Sequence, residues 1–579
     1  MCGIFGVTER NLSTVSKMMQ ICSHRGPDNT SIWQSDKVTL GHNLLSITST
    51  PSIGKQPFKT YKGNILIYNG EIFNYNSLLK RFEDKFQPKT TCDTELLGWL
   101  LDNFSYQEVV SNILDSMHSF AYYNINSNEL ILSRDHVGIK PLFFSNINNA
   151  IIFSSEIKAL LNFIPNSSTI NRLALACTSL IGSNVLRETI FKGIYKVLPG
   201  ETLVYDLNKK KISNKFRSLI RPNSNKTIDL QEFKSKTLNA INQSTLGIRK
   251  FGIFLSGGID SSIISYGLKK KLGKLNSFTN FMEPNVILED EDHNSDADIA
   301  RKFAKYLKLN HTEIKITPEN FANNWDDSVK YVEEPRYNWC LPMYYYTNNI
   351  LSKHQTIVTM AGDIGDEILG GYPKYFRFKN MLNKPKNWNE FIRVWMKKWA
   401  APIILNMKFD FEDLHSLLLE ALPEEVWNPD DVANSAMALD CITTVPEDFF
   451  SRNDRFGMRF SMEGRFPLAS KDYMQYCLNI KSDHKIGKEI NQTKLPIKEA
   501  FKDILPDYLI NKPKTGWSAP IMNWLSDNKV LQDKFNHTIK KDDAIKDMLS
   551  FQNIQIPNNK RRIIYWLFRT WSQQFEMSN

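Results

Sequence analysis

Long apolar runs are missing from this chain of 579 residues. The longest, such as AAPIILNM (400–407), fall far short of the roughly 20 residues that a spanning helix needs, so no membrane contact is expected. No secretory leader is expected either, because a polar, charged stretch follows the first seven residues. The seven cysteines are widely scattered, with no CxxC pair and no disulfide framework, which suits a reducing, cytoplasmic compartment. A strong charge of one sign is also lacking. The net charge of +10 is modest for this length, and the basic cluster NKKKIS (208–213) reads as solvated loop, with no nucleic-acid-binding motif beside it. There is no internal repeat. What the chain does have is 42% apolar residues and 12% aromatics, ample for packed cores, and a length that implies two or three domains.

Residues 1–207 read mainly as strands. NILIYNGEIF (64–73) and AIIFSSEI (150–157) are apolar runs ending in polar residues, and SFAYYNINSNELILSRD (119–135) reads as a hairpin turning at NSN. The polar stretch 208–230 reads as a linker. Beyond it the pattern changes. FGIFL (251–255), SFTNFM (277–282) and TIVTM (356–360) are buried-strand runs. Between the last two, DADIARKFAKYLKL (296–309) puts Ile299, Ala300, Phe303, Ala304 and Leu307 on one helical face. Alternating strands and helices predict a parallel sheet over residues 231–579, becoming mostly helical from about 375 onward.

LSGGIDSS (255–262) follows a strand and opens a helix. Gly257 and Gly258 allow a sharp turn and a close approach of backbone to a ligand. The amides at the helix start, with Leu255 before them and the hydroxyls of Ser256, Ser261 and Ser262, form an anion cradle. No Lys follows the glycines, so this is not the Walker loop. Asp260 in the cradle would repel phosphate unless a hard divalent cation such as Mg²⁺ sat between them. The loop therefore predicts a grip on the pyrophosphate of ATP. A second acidic cluster, AGDIGDEILGGY (361–372), carries Gly362, Asp363, Asp366 and Glu367. If its strand neighbours the first, both loops meet at the carboxyl ends of the sheet, and Asp366 can share the metal with Asp260.

The chain begins MCGIFGV. With Met1 removed, the α-amine of Cys2, with a pKa near ~7.7–8, could serve as the base for its own thiol. HRGPD (24–28) is a tight polar turn containing Arg25. In YNGEIFN (68–74), Asn69 and Gly70 offer an oxyanion hole and Glu71 an anion for a substrate ammonium, with Asp93 of TCDTE (91–95) as a second anion.

Together these stretches resemble the glutamine-dependent asparagine synthetase family. MCGIFGV, HRGPD, NGEIFNY, RDHVGIKPLFF and FSSEIKAL are similar to its N-terminal glutaminase domain. LSGGIDSS, EEP, GDEILGGY, DRFGM, EGRFP and NKPKTGW are similar to its synthetase domain. The resemblance implies an α+β first domain (an αββα sandwich of the N-terminal nucleophile type, 1–207) and an α/β second domain (231–579) with a nucleotide-binding parallel sheet and a helical C-terminal part. It implies that Cys2 hydrolyses glutamine through a thioester, with Asn69 and Gly70 at the oxyanion and Arg25, Asn69, Glu71 and Asp93 binding glutamine. Ammonia then travels inside the protein to a carboxylate that ATP and Mg²⁺ have activated as its adenylate. By position, Lys494 of TKLPIKEAF contacts the phosphates, Lys514 faces the same site, and Glu333 is the base on the attacking nitrogen, with Glu334 as the alternative. The implied partners are glutamine and a small carboxylate acceptor, not nucleic acid, and a homodimer is allowed.

Three positions depart from the family pattern. Leu44 stands where an Arg usually pairs with the glutamine α-carboxylate, and Leu cannot do this. MAGDIGDE replaces SGEGxDE, and Ser470 of RFPLAS replaces the Asp of PFLD. The last two are expected in or near the synthetase site. They point to an acceptor other than aspartate, such as a uronic-acid sugar of a surface polysaccharide. An ammonia-using or ring-closing synthetase with an idle glutaminase is the alternative enzyme, and a glutamine or nucleotide sensor the alternative without catalysis.

Overall fold

The computed structural model describes residues 2–578 except 284–286, 289–290, 399–403, 406–408, 513–518 and 551–559. The N-terminal part holds two six-stranded antiparallel sheets. In the first, the strand Gly3–Val7 lies between Thr39–Leu44 and Ala150–Ser154. In the second, Ile65–Ile72 pairs with Ser116–Asn124, which forms the expected hairpin with Glu129–Arg134. Alternation along the strands decides the layers. Ile4, Ile65 and Ile67 share a core between the sheets, with Leu132 and Phe153. Phe5 and Val7 point the other way, onto Val15, Met18 and Met19 of the helix Leu12–Ile21. Leu66 and Tyr68 likewise meet Leu96, Leu97 and Leu100 of the helix Asp93–Asn103. The layers thus run helix, sheet, sheet, helix.

The expected linker needs correction. Its first part is the strand Lys211–Arg217, which pairs with Glu201–Asp206 at the edge of the second sheet. Its side chains are mostly exposed, so polarity there marks an edge strand rather than a loop.

The second part is built on five parallel strands in the spatial order Asn310–Ile316, Asn276–Met282, Phe251–Phe254, Val358–Met360, Glu463–Arg465. The first strand in sequence lies between the second and the fourth, so the connections diverge on either side of Phe251–Phe254 and leave a crevice at its carboxyl end. The helix Ser295–Tyr306 buries Ala300, Phe303 and Ala304 as its periodicity predicts. Helices dominate the chain after Pro373. No helix among the described residues is long and apolar enough to cross a membrane.

Polar contacts tie the two parts together. His136 bonds the Ala469 carbonyl through Nε2 at 3.0 Å, and Lys140, fully buried, donates to the Gly464 carbonyl at 3.3 Å. Ser470 donates to Asp115 at 2.6 Å. Ser470 therefore belongs to the domain seam and is not among the residues lining the crevice.

Candidate functional site

Cys2 is buried immediately before the strand Gly3–Val7. Its backbone N–H donates to Asn69 Oδ1 at 2.9 Å, and Sγ lies 3.9 Å from the Leu45 carbonyl. Burial pushes its thiol pKa up, so the thiolate needs a nearby base. Cys2 opens a cavity of about 30 Å³ walled by Leu44, Gly70, Glu71, Asp93 and, from the second domain, Glu463. Gly70 is required there, because a Cβ would collide with the Met117 carbonyl oxygen. Asp93 accepts from the Ile72 N–H at 3.2 Å, and burial pushes its carboxyl up to about 6. Burial also raises Glu71, against the pull of Arg465, whose Nη2 donates to Glu71 Oε2 at 2.9 Å. Glu71 Oε1 is buried without a protein partner. No Arg or Lys among the described residues lines this cavity, and Leu44 occupies part of its wall.

Two expected glutamine contacts are placed differently. Asn69 is fully buried behind the cavity, with its Nδ2 3.4 Å from Ser119 Oγ. Arg25 is fully buried too. It donates through Nε to the Cys2 carbonyl at 3.0 Å and through Nη1 to Glu156 and Asp454, both at 2.8 Å. Its charge is spent across the seam between the two domains, so it supports the Cys2 backbone and does not face the cavity.

The second site lies in the crevice of the parallel sheet, a cavity of about 390 Å³. Leu255, Ser256, Gly258, Asp260 and Ser261 form one wall and Ala361–Glu367 contributes another. The helix Ile259–Leu272 points its N-terminus at the cavity. Glycine makes the architecture feasible. Gly257 has φ +71°, and a side chain there would strike the Asp296 carbonyl oxygen. A Cβ at Gly362 would sit 2.9 Å from Asp260 Cβ, so the two acidic loops touch because Gly362 has none. Lys494 bridges them. Its Nζ contacts Asp260 Oδ2 and lies 2.7 Å from Asp366 Oδ1. Burial and Asp366 push the neighbouring Glu367 up to about 8. Ser262 turns its hydroxyl back to the Gly258 carbonyl at 2.8 Å and, like Gly257, shapes the loop without lining the cavity.

Glu333 and Glu334 are not in this cavity. Glu333 is wholly buried, accepting from the Ile157 and Lys158 amides at 3.0 Å each and pairing with Arg455 at 2.8 Å. Glu334 accepts from Asn184 at 3.1 Å and the Ile190 amide at 2.8 Å. Both carboxylates are engaged in the domain seam, so the expected role of either as base is corrected here. Lys514 lies outside the described residues. Its neighbour Lys512, which sequence reasoning missed, pairs with Asp296 and donates to the Gly257 carbonyl at 3.3 Å. Arg452, Asn453, Asn338 and Tyr344, also missed, line the cavity. No motif marks them, because the helix Ser451–Arg459, the helix Leu341–Lys353 and the loop before it meet only in the fold.

Comparison with known proteins agrees with the two-part architecture. The glutamine amidotransferase domain family matches residues 1–216, and the asparagine synthase family matches residues 232–555, more than half of the chain. The chain belongs to the asparagine synthase family. Asparagine synthetase [glutamine-hydrolyzing] 3 of Bacillus subtilis is 26% identical, over 93% of this chain and 92% of the relative. Asparagine synthetase [glutamine-hydrolyzing] 1 of the same organism is 26% identical, over 99% and 96%. Asparagine synthetase B [glutamine-hydrolyzing] of Escherichia coli is 26% identical, over 66% of each chain. This family member is thus an asparagine synthetase-like glutamine amidotransferase, an ATP-dependent ligase.

Proposed function

We propose that the protein hydrolyses glutamine at Cys2 and delivers the ammonia to the nucleotide cavity. There a carboxylate, activated as its adenylate, becomes an amide, and AMP, pyrophosphate and glutamate leave. The observation that carries this reading is the meeting of Asp260, Asp366 and Lys494 at the mouth of a helix N-terminus, in one chain with a cysteine whose backbone nitrogen is held by Asn69.

At the first site, once Met1 is removed, the Cys2 amine takes the thiol proton and Sγ attacks the glutamine amide carbon. The developing oxyanion meets the Gly70 N–H, while Asn69 holds the Cys2 nitrogen from behind the cavity. Glu71 Oε1 and Asp93 take the substrate ammonium, with Arg465 orienting Glu71 from behind.

At the second site, Ser256, Gly258 and Ser261 hold the pyrophosphate of ATP. Asp260 and Asp366 fit Mg²⁺, which takes one or two carboxylates together with phosphate oxygens and, when bound, neutralises phosphate charge. Lys494 supplies a further positive charge. Glu367, pushed up to about 8, keeps its proton near neutral pH. Asp363, which lines the cavity beside Arg452, is the carboxylate assigned here to take the proton of the attacking nitrogen. Water has to be kept out, because it would hydrolyse the adenylate.

The acceptor is a carboxylate other than free aspartate, such as a uronic-acid sugar, because AGDIGDE, the stretch that departs from the family pattern, walls the cavity. A pyrophosphate-release screen of carboxylic acids with ATP, Mg²⁺ and either glutamine or ammonium tests this. Amidation of free aspartate as fast as of any other acid would remove the preference. The alternative, ammonium use with an idle glutaminase, draws on Leu44 and on a cavity without a cation. Cys2→Ala separates the two. It should abolish glutamine-driven turnover and spare ammonium-driven turnover, whereas an idle glutaminase gives no glutamine-driven turnover to lose.

A further inference from the structure

Three carboxylates line the cysteine cavity, Glu71, Asp93 and Glu463, and all are buried. Arg465 stands behind this wall and is already spent. Its Nη2 donates to Glu71 Oε2 at 2.9 Å, its Nε to Glu463 Oε1 at 2.5 Å, and its Nη1 to the Ser244 and Leu246 carbonyls at 2.8 and 2.5 Å. Asp93 has only the Ile72 N–H, at 3.2 Å. Burial keeps Asp93 neutral below about 6, so at neutral pH it meets the cavity ionised. The wall therefore suits a cation, and a further buried anion there would be unpaired, which is costly.

The rest of the wall offers such an anion little. Leu44 and Leu45 are apolar. The Ser46 N–H donates to Asp28 at 2.8 Å and the Ser46 hydroxyl to the Ser49 carbonyl, while the Ser49 hydroxyl turns to the Thr50 carbonyl at 3.5 Å. Gln56 Nε2 is taken by the Tyr68 carbonyl at 3.2 Å and by Thr94 Oγ1 at 3.3 Å. Two polar atoms of the wall are buried with no protein partner, Glu71 Oε1 and the Tyr68 hydroxyl. The first is an acceptor and suits an ammonium. The second is a neutral donor and suits a carbonyl oxygen. A free amino acid brings an ammonium and a carboxylate together. This cavity provides for the first and not for the second.

We infer that the preferred nitrogen donor is a glutamine with a free α-amine and its α-carboxyl in amide linkage, as at the amino end of a peptide, and that free glutamine is the poorer donor. This rests on the reading of Cys2 above and changes only the state of the donor's α-carboxyl group. Sγ bonds to the side-chain amide carbon and the C–N bond breaks, the thiol proton passing through the Cys2 amine to the leaving ammonia. Water then cleaves the thioester, restores the thiol and leaves a glutamyl residue at the end of the peptide. The α-carboxyl group stays neutral throughout, and its carbonyl oxygen can accept from Tyr68.

Steady-state hydrolysis by the full chain with Met1 removed tests this on L-glutamine, L-glutaminyl-glycine and N-acetyl-L-glutamine. Products are counted by mass, because glutamyl-glycine marks hydrolysis and pyroglutamyl-glycine marks spontaneous ring closure. The wild-type protein should use glutaminyl-glycine over glutamine by about tenfold or more in kcat/KM, and should not use N-acetylglutamine, which lacks the ammonium. Leu44→Arg should place a cation in the wall and reverse the order by raising kcat/KM for glutamine, whereas Leu44→Met should keep the order. Thermal melting of both variants checks that the fold is intact. Equal or better use of free glutamine by the wild type overturns the inference, as does a folded Leu44→Arg variant that raises both donors alike. No glutamyl product from any donor, with ammonium-driven pyrophosphate release intact, would instead overturn the reading of Cys2 as the nucleophile, and this inference with it.

Discussion

Asp93→Asn separates stability from function at the cysteine site. Burial lifts the Asp93 carboxyl from its ordinary 3.8 to about 6. The folded protein therefore binds a proton here that the unfolded chain releases, between pH 3.8 and 6. The stability linked to that proton is full below 3.8 and lost as pH rises through 6. Above that, ionised Asp93 costs the fold about 3 kcal/mol, at roughly 1.4 kcal/mol per pH unit. Asparagine keeps the shape and can accept from the Ile72 N–H through Oδ1. At pH 7.5 the variant should melt about 6–12 °C higher in the glutaminase transition, and the gain should vanish toward pH 4. Function should move the other way. Losing a charged contact to the substrate ammonium, worth about 1.5–3 kcal/mol, should cut glutamine-driven kcat/KM by about 10- to 100-fold, while ammonium-driven turnover persists. Differential scanning calorimetry from pH 4 to 8 and paired glutamine and ammonium assays measure both effects. A pH-independent melting difference, or an unchanged glutamine kcat/KM, would show that the burial argument is wrong.

In the wild type, glutamine-driven turnover should fall as pH drops through about 6, as Asp93 gains its proton, and ammonium-driven turnover at matched free ammonia should not follow the same titration. Arg465→Met should destabilise by about 3–5 kcal/mol in chemical denaturation, because Glu71 and Glu463 lose the buried cation they share, and adding Glu71→Gln should recover part of it. Lys494→Ala should lower pyrophosphate release by about 100-fold or more at any acceptor concentration, read by a coupled assay, since it removes the cation between Asp260 and Asp366. Gly257→Ala should raise the KM for ATP sharply and lower stability by about 1 kcal/mol or more, because φ +71° and the Asp296 carbonyl leave no room for a methyl group.

The glycine loops, the hairpin at 119–135 and the helix at 295–306 were legible from sequence because their determinants are local. Glycine at 257 and 362 sets backbone shape within a few residues, and periodicity reports one face of one element. Cys2 was proposed as nucleophile from sequence for a different reason: the base proposed for it is its own backbone nitrogen, freed by removal of Met1. The polar segment 211–217 misled because an exposed edge strand and a linker share one composition.

Arg25 and Glu333 were read by position as site residues, yet pairing across the domain seam, with Asp454 and Arg455 respectively, directs their charges elsewhere. Such pairs join residues more than a hundred positions apart, and no local pattern encodes which buried charge meets which. The same holds for Glu463, which a short strand of the synthetase sheet carries to the glutaminase cavity, for Arg465, which that strand sets behind Glu71, and for Arg452, whose unmet Nε exists only after Tyr344 and Phe449 have closed around it. The sequence by itself determined the two chemistries and the loops that serve them, because backbone conformation is a short-range property. The tertiary structure alone decided which charges face substrate and which hold the domains together, because burial and ion pairing depend on what else arrives at the same place.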